Sequence, residues 1–121
     1  MNRGFFFFIT LISAASLGDT TVPKAGYLAA AQERLPTTFC SEGTYFRSCF
    51  AITESECKIA ISDATAMCFK KYDVEIPQRL AHPQETAGWG AKLGACVGAT
   101  FETMLKGKLV STEKCEGVPA K

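Results

Sequence analysis

Six cysteines (Cys40, Cys49, Cys57, Cys68, Cys96 and Cys115) and one histidine, His82, are the residues of this chain whose types could carry chemistry. As free thiolates beside an imidazole they would supply a nucleophile and its base, or ligands for zinc. A lone histidine rules out histidine pairs as metal ligands. An even number of cysteines in a short exported chain reads as a disulfide framework, which leaves no thiolate for either task. The paired carboxylates, Glu54 with Glu56 and Asp73 with Glu75, fall at a helix start and in a polar loop, where capping and solvation account for them. The glycines sit within a helical period and no lysine and hydroxyl pair follows them, so they form no phosphate cradle. We therefore expect no metal, no cofactor and no enzymatic activity, with His82 a solvated loop residue before Pro83.

Export is read from the start of the chain. Residues 1–18 combine Arg3, an apolar run from Phe5 to Ile12, and the small residues Ser13 to Ser16, the layout of a cleaved signal peptide. The run is shorter than the roughly 20 apolar residues that span a bilayer, so no membrane insertion is expected once the leader is removed. What remains, 19–121, suits a single disulfide-rich domain in a secreted or periplasmic setting. Arg3 leaves with the leader, so the basic and acidic residues balance. Without an excess of positive charge, nucleic acid is not an expected partner.

The periodicity predicts an all-α fold, a small bundle of about four helices. Tyr27, Leu28, Ala31 and Leu35 define a first helix between Pro23 and Leu35, with Pro36 as its stop. Phe39, Gly43, Phe46 and Phe50 form an apolar stripe on a second, and Thr-Glu-Ser-Glu from Thr53 is a capping box that opens a third. The third buries Cys57, Ala60, Ile61, Ala64, Cys68 and Tyr72. Asp73 to His82 reads as a connection, and Trp89, Leu93, Val97, Phe101 and Leu105 mark a long fourth helix over about 83–107. Only Lys108 to Thr112 could be extended.

Along a helix, Cys40 and Cys49 would stand about 13 Å apart, and Cys57 and Cys68 about 16 Å apart. Both exceed the limit of about 7 Å between the Cα atoms of a disulfide, so bridges must cross between elements. An antiparallel helical hairpin over about 39–72, turning near Thr53, pairs Cys49 with Cys57 and Cys40 with Cys68. Elimination then leaves Cys96 with Cys115. In its logic this resembles the twin-cysteine hairpins of the coiled-coil-helix-coiled-coil-helix family. The likeness covers about a quarter of the chain and implies no function.

Gly90, Gly94 and Gly98 repeat every four residues in the fourth helix. Each costs about 1 kcal/mol relative to alanine, so close approach of helix one or three is expected there. With no catalytic constellation, the expected function is that of an exported binding protein, an inhibitor or immunity-type module whose partner is another protein. Asp73 to Glu85 would be its recognition segment, and Arg79, His82 and Trp89 its contact residues. The alternative is a carrier that holds a small apolar ligand in a cavity of the bundle.

Overall fold

The computed structural model describes residues 20–116. The expected leader lies outside the described residues. The chain forms β1 (Thr21–Pro23), α1 (Lys24–Phe39), α2 (Tyr45–Ser48), α3 (Glu54–Tyr72), β2 (Arg79–Ala81), α4 (Gln84–Met104), a 3-10 turn (Lys106–Lys108) and α5 (Glu113–Glu116). The small stapled helical bundle expected from the periodicity is what forms, with one minor antiparallel ribbon added. Helix α3 is its centre and packs against both α1 and α4.

Helix α3 begins where its capping box predicts. The Thr53 hydroxyl accepts from Glu56 N at 3.0 Å, and Glu56 Oε1 accepts from Thr53 N at 2.8 Å. Its inward stripe is Cys57, Ala60, Ile61, Ala64, Thr65 and Cys68, and the Thr65 hydroxyl donates to Ile61 O at 2.7 Å, which satisfies the one fully buried polar side chain among the described residues. Helix α4 packs on α3 and buries Leu93, Val97, Gly98 and Phe101, the last two beneath the aromatic rings of Phe46 and Phe50.

Helix α1 runs through Pro36 to Phe39, past the expected stop. The proline forfeits its own amide bond, but its carbonyl still accepts from Cys40 N at 3.0 Å. The extra turn is held from outside, since Phe39 stacks on Phe46 at 4.9 Å and Cys40 is covalently tied to α3. The second helix is correspondingly short. Gly43 takes a φ of +89°, a left-handed conformation that breaks the helical path, and Thr44 restarts it by capping Arg47 N at 3.2 Å. The aromatic stripe still converges: Phe46 and Phe50 each meet Phe101 edge-on, at 5.2 and 5.0 Å.

All six cysteines are paired, but none of the three expected pairings forms. The bridges are Cys40–Cys57, Cys49–Cys115 and Cys68–Cys96, with Cα atoms 6.0, 5.5 and 6.0 Å apart. The expected hairpin needed a full-length second helix to carry Cys40 toward the far end of α3. With α2 a single turn, Cys40 sits at the end of α1 and meets Cys57 in the first turns of α3. Cys68 then faces Cys96 across the antiparallel α3 and α4. The tail does not fold back on α4; Leu109 forms a bridge with Phe50, which carries Cys115 to Cys49.

The connection expected over Asp73 to His82 contains a strand. β2 pairs with β1 in the register Thr21↔Ala81, Val22↔Leu80 and Pro23↔Arg79, and burial of Leu80 anchors it. Of the α4 glycines, Gly90 and Gly98 face aromatic side chains, not a backbone. A Cβ on Gly98 would lie 3.2 Å from Phe46 Cζ and one on Gly90 3.4 Å from Tyr27 Oη, while Gly94 has open space.

Candidate recognition surface

Asp73 to Trp89 occupies one end of the bundle, where α3 stops, the ribbon passes and α4 starts. Its backbone is tied down at each step. Glu75 N and Ile76 N both donate to Tyr72 O, at 3.0 and 3.1 Å, and Lys24 N donates to Gln78 O at 2.8 Å. Lys24 Nζ pairs with Asp73 Oδ1 at 3.0 Å and donates to Asp73 O at 2.6 Å. Ile76 and Leu80 are buried on either side of Pro77. Between these anchors Val74 projects with 95% of its surface exposed. An apolar side chain held outward by an ordered turn has already met the entropy cost that a mobile loop would incur on docking.

Arg79 and His82 are exposed, and each is engaged locally. Arg79 Nε donates to Thr21 Oγ1 at 2.9 Å and Nη2 to Thr21 O at 3.3 Å, which lays the guanidinium along β1. His82 precedes the cis peptide to Pro83, and its Nδ1 lies 2.8 Å from Thr86 Oγ1. The Thr86 hydroxyl also donates to Pro83 O at 3.2 Å, so it links the imidazole to the turn. Glu85 Oε1 accepts from Ala81 N at 2.7 Å, which closes the corner between β2 and α4.

Trp89 is half-buried and meets Tyr72 edge-on at 5.7 Å. Lys92 Nζ stands 5.0 Å from the Trp89 ring centre and 5.2 Å from that of Tyr72, and Lys71 Nζ is 5.4 Å from the same Tyr72 ring. Among the described residues the ion pairs are Lys24 with Asp73 and Lys58 with Glu54, so neither Lys71 nor Lys92 is paired with a carboxylate. Of the sequence-derived contact residues, then, Trp89 belongs to an aromatic and lysine cluster, His82 to the turn that leads into it, and Arg79 to the ribbon. Val74, Tyr72, Lys71 and Lys92 were not foreseen. The available signal was Asp-Val-Glu, a lone apolar residue between two acids directly after the last turn of a helix.

Elsewhere the surface carries an open cleft of about 850 Å³ lined by Pro36, Thr53, Glu54, Ser55, Lys58, Ile59, Ser62 and Asp63. A cleft of about 250 Å³ is lined by Thr38, Phe39, Thr44, Tyr45 and Phe46, and another of about 300 Å³ lies between Met67 and Met104. Among the described residues no helix is long and apolar enough to cross a membrane, and no group of three or more histidine, cysteine or acidic side chains is placed to hold a metal ion.

No curated protein and no solved structure matches the chain. A family described as "T2SS substrate NttA", that is, a substrate of type II secretion, matches residues 21–108. That span runs from β1 to the 3-10 turn and takes in five of the six cysteines, so the chain belongs to the NttA family of T2SS substrates and is an exported protein.

Proposed function

We propose that this exported protein acts by binding another protein, as an inhibitor or immunity-type module and not as an enzyme, and that it docks through the end of the bundle around Val74 and Trp89. The observation that carries the reading is Val74: a fully presented apolar side chain on a turn fixed by Lys24, Tyr72 and Ile76. Two residues before it in the chain is Tyr72, whose ring meets Trp89 at 5.7 Å, and both are residue types that concentrate binding energy in protein interfaces. A partner would cover Val74 and the Trp89 edge together, with Arg79 and His82 at the rim.

The test is capture of a partner from the native secreted fraction by the mature protein. Wild type should retain a specific protein, W89A should lose most of that capture, and R79A should weaken it less because its guanidinium is engaged with Thr21. Unaltered capture by both variants would remove this surface from the reading. A carrier of a small apolar ligand finds little apolar lining in the cleft of about 850 Å³ along α3, where Thr53, Glu54, Ser55, Lys58, Ser62 and Asp63 outnumber Pro36 and Ile59, and the aromatic cleft beside Phe39 and Tyr45 holds about 250 Å³ and is open to solvent. That is small for a ligand whose surface must be largely enclosed.

A further inference from the structure

We propose that Lys71 and Lys92, held on the Tyr72–Trp89 pair, form a subsite that binds the carboxylates of an acidic segment of the partner protein. This rests on the binding function proposed above and names the chemistry that its partner must present. Two ammonium groups each lie within 5.4 Å of the centre of one tyrosine ring, so they stand no more than about 11 Å apart, a separation of the order of the Debye length of about 8 Å. Like charges brought together at a protein surface are ordinarily offset by nearby acids. Here Asp73 is paired with Lys24, and neither Lys71 nor Lys92 has a carboxylate within ion-pair distance among the described residues.

The rings do more than fill space. Contact with the faces of Tyr72 and Trp89 restrains Lys92, so the charge is positioned before a ligand arrives and less side-chain freedom is lost on binding. The same contact sets the class of ligand. Stacking of a nucleic acid base needs an uncovered aromatic face, and Lys92 lies over both rings. Recruitment to an anionic membrane draws on clusters of about 4–8 basic residues, more than the pair gathered on Tyr72. Val74, two residues from Tyr72, adds an apolar contact that an acidic peptide segment carrying a hydrophobic residue would complement.

The experiment uses the mature protein with its disulfides intact and reads the fluorescence of its single tryptophan, Trp89. A short polyglutamate peptide should produce a saturable change that weakens as salt is added, and K71Q/K92Q should lower that affinity by about tenfold or more. No saturable response to polyglutamate, or equal affinity in the double variant, would overturn the subsite. Tighter binding of single-stranded DNA or of phosphatidylglycerol vesicles than of polyglutamate would overturn it too. Partner capture separates this claim from the function beneath it. If capture depends on Trp89 yet K71Q/K92Q captures as well as wild type, the subsite falls and the binding function stands; polyglutamate binding with no partner captured does the reverse.

Discussion

Cys49 is bonded to Cys115, 66 residues along the chain, and the carbonyl of Cys49 also accepts from Val110 N at 2.9 Å. The covalent bridge and the short pairing of Phe50 with Leu109 hold the tail across the aromatic cluster. On the loop-entropy account a closure of that length is worth about 4 kcal/mol, with measured values for engineered bridges often lower. The double variant C49A/C115A should therefore unfold with a free energy about 2–4 kcal/mol lower in denaturant. Its helical circular dichroism should persist, because α1, α3 and α4 keep their own bridges. Peptide mapping without reduction should recover Cys40 with Cys57, Cys49 with Cys115 and Cys68 with Cys96.

The glycines of α4 should respond in opposite senses. At Gly98 a methyl group would press on Phe46 at 3.2 Å, and that ring is already wedged against Phe39 and Phe101. G98A is expected to destabilise by about 1–2 kcal/mol through overpacking. Gly94 has no neighbour within 4 Å, so G94A should stabilise by up to about 1 kcal/mol from helix propensity alone. Thermal unfolding of the two variants side by side checks the sign of each.

These cases also mark how far the sequence could be read. The capping box at Thr53 and the stripes of α3 and α4 are local patterns, and they predicted two long helices and their buried faces. The aromatic stripe from Phe39 to Phe50 predicted which rings would be buried, but not that Gly43 and Thr44 would divide the segment. Disulfide pairing depends on where elements cross in space, so one shortened helix was enough to redirect all three bridges. The candidate surface was legible in the same partial way. The sequence reads Asp73 to Glu85 as a recognition segment with Arg79, His82 and Trp89 as its contacts, and the structure adds that Val74 within it is exposed and that Trp89 packs on Tyr72. The lysines that converge on Tyr72 come from two different helices, and nothing in either helix alone announces the other.

Tyr45 supplies a pH dependence. Burial, then a hydrogen bond to Glu102 and the negative charge of that carboxylate, push its phenol from the ordinary 10.0 up to about 12. The folded state therefore favours the neutral ring. The resulting stabilisation is complete below about pH 10 and is lost as the pH rises from there to about 12. In a tyrosinate absorbance titration one phenol should ionise near pH 12, and E102Q should shift that step down toward the ordinary value.

Loss of the helix cap at Thr53 should be felt across the bundle, because α3 is the element against which both α1 and α4 pack. T53A removes the acceptor for Glu56 N and is expected to cost about 1 kcal/mol, whereas T53S should retain nearly all of the stability. Denaturant midpoints of the two variants measure the difference.

The most direct test of the binding function is the affinity of a purified partner for V74D, measured calorimetrically beside the wild type. Val74 makes no contribution to the core, so the variant should fold with an unchanged melting temperature. A charge buried without a partner in a docked interface should weaken binding by tenfold or more. Wild-type affinity in a folded V74D protein would contradict the account.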